Sequence, residues 1–244
     1  MTNKTTDDQN NDGSRTPPIA LVLELEFMLF RGRQLMYEAF CRVLKEHQLA
    51  LDQTFFSRYC LPRKIEKCLR GLLPAMGKKG LAPENIADKI RREFESSLNA
   101  DTTRPAPELV ALLKKTAAAG AKTGLLSFLA REKAEQLMAR AGLDQTAFLH
   151  VMKKEADDLP TPDSWLSLLK AMAVVPRCAI ALVDGATACQ SALAVGMRCC
   201  AVPDCFTEWQ DFTGADRVEE NISGLSPDGI ITLLSTARFR ERSR

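Results

Sequence analysis

Residues 179–202 read AIALVDGATACQSALAVGMRCCAV, and they contain one full repeat of the pattern that sets the fold. Ala179–Val183 is a continuous apolar run, which is typical of a strand buried on both faces of a parallel sheet. Thr187–Val195 is expected to be a helix, because Gly196 follows it as a C-terminal cap. Cys199–Val202 is a second apolar run. Strand, helix and strand in this order predict a right-handed βαβ unit.

The same alternation continues on the N-terminal side of this unit and once beyond it. Gly120 and Gly142 end two further helical patterns. The other predicted elements are the helix Glu108–Ala119, the strand Thr123–Leu126, the helix Arg131–Ala141, the strand Phe148–Met152, the helix Asp163–Ala173 and the helix Pro227–Ser235. The sequence therefore predicts an α/β fold with a doubly wound parallel sheet.

The first strand is separated from the others by a long helical segment. Ile19–Leu23 (IALVL) predicts a buried strand, whereas residues 34–98 show apolar residues at helical spacing and no clear strand pattern. We therefore expect a helical cap inserted into a discontinuous sheet domain. The predicted parts are a disordered tail at 1–18, the core at 19–31 and 100–238, the cap at 32–99 and a basic tail at 239–244.

The composition excludes several classes of protein. Of 244 residues, 45% are hydrophobic and 26% are charged, and the formal net charge is +2. This balance, with only 6% aromatic residues, does not favour a nucleic-acid partner. No apolar run approaches the roughly 18 residues of a membrane span, so no membrane contact is expected. The N-terminus is polar and the eight cysteines form no Cys-x-x-Cys pair, which favours reduced thiols and a cytoplasmic location.

Polar residues at the strand ends are the candidate functional groups, because ligands of such sheets bind beyond the carboxyl ends of the strands. Glu24 and Glu26 end the first strand, and a spacing of two places both carboxylates on one side of an extended chain. Such a pair can share a divalent cation, or serve as nucleophile and proton donor. Ser127 ends the second strand and offers a hydroxyl to an oxyanion. Asp184 ends the strand of the βαβ unit and can also cap the next helix.

With these residues in place, the chain resembles the haloacid dehalogenase superfamily, in its phosphatase and β-phosphoglucomutase-like branch with a helical cap. The resemblance covers roughly residues 19–235. The segments that carry it are Glu24–Leu29, Ser127, Leu159–Asp163, Val183-Asp184 and Val195–Met197. It implies a Rossmann-like core, a phosphorylated small-molecule ligand, a Mg²⁺ ion, an acidic nucleophile at position 24 and an acid/base at position 26.

Six positions depart from the pattern of that superfamily. They are Glu24 and Glu26 for two Asp, Phe27 for Gly, Met28 for Thr, Leu159 for Lys and Val183 for an acidic residue. Each Glu is one methylene longer than Asp, and an error of ~1 Å in an attacking atom can cost ~10²-fold in rate. Lys153 or Lys154 could bind phosphate beside Ser127 in place of the missing Lys. Glu24, Glu26 and Asp184 remain as a weak set of Mg²⁺ ligands.

Two functions from different classes follow. The first is a catalytically degenerate protein that binds a phosphorylated small molecule or a partner protein; residues 31–98 carry 14 Lys and Arg against 8 Asp and Glu, which attracts phosphate or an acidic partner. The second is a Mg²⁺-dependent phosphatase or phosphomutase that uses Glu24 as nucleophile. Apolar cap residues could also form a partner surface, although we favour a small core within the cap; they are Phe55, Phe56, Leu61, Leu72 and Leu73.

Overall fold

One parallel sheet organises the protein. The computed structural model describes residues 18–61, 64–143, 146–152 and 160–239. The strands in these ranges are β1 Ala20–Glu24, β2 Lys122–Ser127, β3 Ala147–Val151, β4 Ala179–Val183, β5 Arg198–Ala201 and β6 Arg217–Val218. Their order is β3-β2-β1-β4-β5-β6, and every neighbouring pair is parallel. β1 therefore lies in the interior of the sheet, between β2 and β4.

Helices follow β1 as one long series and then alternate with the remaining strands. They are α1 Gly32–Glu46, α2 Gln53–Tyr59, α3 Ile65–Ala75, α4 Pro83–Asn99, α5 Pro107–Ala118, α6 Arg131–Ala141, α7 Pro162–Ala171, α8 Ala186–Ala194 and α9 Pro227–Phe239. α5 packs against α9, and α7 packs against α8. Every residue of β1 and β4 is buried, because helices cover both faces of the sheet.

The predicted α/β fold with a doubly wound parallel sheet is confirmed. Each predicted strand agrees with the observed one to within one residue. α9 runs four residues beyond the predicted end at Ser235, and β6 is too short to leave a pattern in the sequence. The boundaries of the cap and of the two tails stay predictions; residues 1–17 and 240–244 lie outside the described residues.

The chain turns sharply where β1 ends. Leu25–Leu29 forms a single π-helical turn with every residue buried, and α1 begins shortly after it. Gly32 makes this packing feasible, because a Cβ there would lie 2.6 Å from the carbonyl oxygen of Glu26. The turn moves Glu26 off the strand, so the alternation expected of an extended chain does not apply to it.

The inserted helices pack on the loop that follows β2. Phe94 of α4 stacks on Phe128 at 5.9 Å between ring centroids, and Phe27 contacts the same ring at 5.4 Å. The apolar residues that could have formed a partner surface are mostly buried among these helices; Phe56, Leu61, Leu72 and Leu73 are buried and Phe55 is half-buried. Among the described helices, none has the length and apolar character to cross a bilayer.

Candidate functional site

Three of the predicted residues meet at the ends of the central strands. Glu24 is the last residue of β1, Ser127 is the last of β2, and Asp184 directly follows β4. All three are buried, with relative exposures of 1%, 0% and 4%. Because neighbouring parallel strands end at one edge of the sheet, this edge brings the three side chains together.

Arg33, which the sequence analysis did not single out, dominates this edge. It lies in the first turn of α1, and its guanidinium donates from Nε to Oδ2 of Asp184 at 3.1 Å and from Nη2 to Oδ1 at 2.6 Å. Its Nε also lies 3.6 Å from Oδ2 of Asp204, in the loop after β5. Burial opposes the charged form of Arg33, but Asp184, Asp204 and Glu24 together outweigh burial and raise the pKa of the guanidinium above its ordinary value.

Glu24 is buried without any hydrogen bond. Neither of its side-chain oxygens has a partner within the described residues. Burial, followed by the charge of Asp184, raises the pKa of Glu24 well above the ordinary value, although Arg33 acts in the opposite direction. Burial therefore disfavours the ionised form of Glu24, which is the form that a nucleophile needs.

Glu26 makes a separate pair with Ser127. The Ser127 hydroxyl donates to Oε1 of Glu26 and accepts the Leu129 N–H at 3.1 Å. Burial raises the pKa of Glu26 to about 7, and the bond from Ser127 limits that rise. A carboxyl group that titrates near neutrality has the proton affinity of a general acid or base. The only hydrogen of the Ser127 hydroxyl is donated to Glu26, so in this arrangement it does not donate to an external phosphate.

The Mg²⁺ ion that the resemblance implies needs several oxygen ligands around one point. Both oxygens of Asp184 accept bonds from Arg33, and Glu26 is bonded to Ser127. Within the described ranges, no group of three or more His, Cys, Asp or Glu side chains is placed to hold a metal ion. The residues as arranged therefore do not fit that ion.

The substituted motif residues form apolar surroundings. Phe27, Met28 and Val183 are all buried. Phe27 and Met28 also line a mostly apolar cavity of about 570 Å³ that reaches Asp184 and the loop after β5. Leu159, Lys153 and Lys154 lie outside the described residues, so their predicted roles stay predictions.

A second cavity of about 740 Å³ lies between the inserted helices and the loop Phe128–Ala130. We refer to it as the cap cleft. Its charged walls hold more cations than anions: Lys64, Lys67, Arg70 and Arg91 against Glu66 and Glu95. α6 begins at Arg131, directly after the loop, and no side chain caps its N-terminus. A helix N-terminus beside basic side chains favours anions.

Comparison with known proteins gives a family match over most of the chain. A model of the haloacid dehalogenase-like hydrolases matches residues 29–202. Protein CbbY of Cereibacter sphaeroides is 33% identical over 70 residues, which span 29% of this chain and 30% of that relative. The matched stretch thus covers less than a third of the relative's length.

Solved structures share the fold at low sequence identity. A mutant of CbbY from Rhodobacter sphaeroides, in complex with xylulose-(1,5)bisphosphate, has a TM-score of 0.72 at 18% identity, covering 87% of this chain and 99% of that one. β-Phosphoglucomutase of Clostridium difficile has a TM-score of 0.70 at 16% identity, with 90% and 98% covered. A haloacid dehalogenase family hydrolase of Deinococcus radiodurans R1, with bound phosphate and sodium, has a TM-score of 0.67 at 20% identity, with 91% and 96% covered.

The solved structures share the fold over 87–91% of this chain. The family model alone spans well over half of the chain. This protein belongs to the haloacid dehalogenase-like hydrolase family.

Proposed function

We propose that this protein is a non-catalytic member of its family that binds a phosphorylated small molecule in the cap cleft. The observation that carries this proposal is the state of the residue at the nucleophile position. Glu24 is buried with no hydrogen-bond partner in the part of the chain that the structure describes, beside an Asp184 whose two oxygens are bound to Arg33.

The loss of turnover follows from the demands of phosphoryl transfer, which depends on positioning and on charge stabilisation. A nucleophilic carboxylate must be ionised, and the raised pKa of Glu24 opposes ionisation. The guanidinium of Arg33 is committed to Asp184 and does not face an incoming phosphate. The family match begins at residue 29, so the acidic pair lies before the matched region.

Binding of a phosphate ester is supported by the charge of the cap cleft. Lys64, Lys67 and Arg70 line its wall on the cap side, and the uncapped start of α6 lies on the other side. A phosphate dianion satisfies both, because free helix N–H groups and basic side chains donate to the same oxygens. The volume of the cleft suits a small molecule. The CbbY structures with phosphate and with a bisphosphate support this ligand class by analogy alone.

Calorimetric titration with glucose 6-phosphate and with glucose tests the binding. We expect heat from the phosphate ester alone, and we expect the K67A/R70A double variant to weaken that binding ~10-fold. The matched control is K78A/K79A, which removes the same charge from a segment outside the cleft lining. Equal binding by both double variants, or no binding by the wild type to glucose 6-phosphate, xylulose bisphosphate or inorganic phosphate, would refute the proposal.

The alternative function is a phosphatase or phosphomutase that uses Glu24 as nucleophile. The pKa of Glu26, raised by burial to about 7, favours it, because this group could then protonate a leaving group. Release of phosphate from p-nitrophenyl phosphate in Mg²⁺, abolished by Glu24→Gln, would establish this alternative. We expect no release above that of the Glu24→Gln variant.

A further inference from the structure

The buried centre already contains a cation. Arg33 has only 7% of its side chain exposed and Asp184 only 6%, so their charges are removed from water. Among the described residues, the guanidinium interacts with acidic groups and an aromatic ring: Asp184, Asp204, Glu24 and Phe27. Arg33 is therefore a buried cation that is paired within the protein.

The surrounding residues form a fitted seat for the guanidinium. Phe27 lies against it, with Cζ of Arg33 5.1 Å from the ring centroid. Gly185 leaves space for it, since a Cβ there would lie 3.1 Å from Nη2 of Arg33. Asp184 accepts two hydrogen bonds from the planar guanidinium, a donor geometry that a spherical metal ion does not have. Two separate parts of the chain, the turn that holds Phe27 and the pair Asp184-Gly185 after β4, therefore fit this one side chain.

Phe27 is one of the six positions at which the sequence departs from the family pattern, and it also contacts the guanidinium. The family pattern has Gly at this position, and the bulky ring would be unexplained if the motif had simply lost its function. In this structure the ring packs on Arg33 and on Phe128. Phe27 and Arg33 are thus partners, and the aromatic substitution is part of how the centre holds its cation.

We propose that the Arg33 guanidinium is the resident cation of this centre and makes it independent of divalent metal ions. The guanidinium lies between Asp184 and Asp204, at 2.6 Å and 3.6 Å, where it neutralises carboxylates that would otherwise need a metal. This inference concerns the strand ends and not the cap cleft, so it stands whether or not the cleft binds a phosphate ester.

The test measures binding of Mn²⁺ through the electron paramagnetic resonance signal of the free ion, which decreases when the ion binds. We expect no binding by the wild type. Arg33→Ala vacates the seat and frees the carboxylates, so this variant should bind about one ion per chain. Arg33→Ala/Asp184→Asn should lose that ion again. Arg42→Ala is the matched control, because Arg42 lies on the same helix, is exposed and pairs with Glu93 at the surface; it should bind none.

Each outcome decides the proposal. Stoichiometric Mn²⁺ binding by the wild type would overturn it, and so would a folded Arg33→Ala variant that binds no ion. If Arg33→Ala is recovered unfolded, it is refolded with and without Mn²⁺. Recovery of the native circular dichroism only in Mn²⁺ supports the proposal, and failure to recover overturns it. Glucose 6-phosphate binding by the wild type is measured separately, so failure of the proposed function is distinguishable from failure of this one.

Discussion

The strand-end centre and the cap cleft contain the same kinds of side chain in opposite surroundings. In the centre, the Arg33 and Asp184 side chains are 7% and 6% exposed. In the cleft, the Arg91 and Glu66 side chains are 37% and 28% exposed, and that of Arg70 is 65% exposed. Ion pairs in water contribute little and exchange partners readily, whereas a buried pair cannot lose one member without leaving an uncompensated charge.

This difference in burial suits the strand-end centre to a structural role and the cap cleft to ligand binding. In the centre, Arg33 and Asp184 form a buried pair beside a mostly apolar cavity that reaches Asp184. The cleft, where charges remain hydrated, keeps side chains that can reorganise around an anion. Evidence that the centre is open to ions, or that the cleft is rigid, would break this distinction.

Removal of the guanidinium should have the largest effect on stability. Arg33→Met keeps much of the side-chain volume but leaves Asp184 buried without its partner. We expect the free energy of unfolding to fall by about 3–5 kcal/mol, measured by urea denaturation. The control Arg42→Met should change it by less than about 1 kcal/mol. Equal losses in the two variants would mean that the centre is hydrated.

Arg33 also shows why the sequence could not predict the centre in full. The sequence located Glu24, Ser127 and Asp184 because each stands at the end of a continuous apolar run that predicts a strand. Arg33 is a single basic residue in the first turn of a helix. Its positive charge was a weak signal, because acidic residues are favoured at helix N-termini and basic residues are not. That signal cannot identify a partner 151 positions away in the chain.

The pH dependence of stability should show that Glu26 is buried. Its pKa rises from 4.5 to about 7 on folding, so the native state binds the proton more tightly than the unfolded chain. The stabilisation is complete below pH 4.5 and is lost as the pH rises towards 7, by about 3 kcal/mol in total.

Glu26→Gln removes this titration and still accepts a bond from Ser127. The variant should match the wild type near pH 4 and exceed its stability by about 3 kcal/mol at pH 8, measured by denaturant unfolding at each pH. Parallel curves for the two proteins would show that Glu26 is ionised in water in the folded state. Glu132→Gln, on the exposed first turn of α6, should produce no comparable difference.

Glu26 is also the residue for which a sound local rule gave the wrong geometry. The alternation of strand side chains predicted that Glu24 and Glu26 share one side, but the strand ends at Glu24. The segment LELEFML is apolar enough to continue as a strand, and only its packing beneath Gly32 and α1 selects the π-helical turn. Secondary structure was predictable from periodicity, whereas the direction of the chain after β1 depended on tertiary contacts.

The aromatic side of the seat should contribute a smaller part of the stability. Phe27→Leu keeps an apolar group but removes the ring face beneath the guanidinium, and we expect a loss of about 1–2 kcal/mol. A double-mutant cycle with Arg33→Met isolates the contact between the two side chains. If the two losses simply add, Phe27 fills space without supporting the cation.

The smallest effect is expected in the cap cleft. Glu66 pairs with Arg91, which also binds Asp88 at 2.7 Å, and these side chains are partly hydrated. A cycle of Glu66→Gln and Arg91→Met should therefore give a coupling below about 1 kcal/mol, and molar salt should reduce it further.

The corresponding cycle of Asp184→Asn and Arg33→Met should give a larger coupling that changes little with salt, because that pair is buried and in direct contact. A salt-insensitive coupling of equal size in both would mean that burial does not distinguish the two regions. The cleft would then be as rigid as the centre, and its basic side chains would be structural residues unable to reorganise around a phosphate.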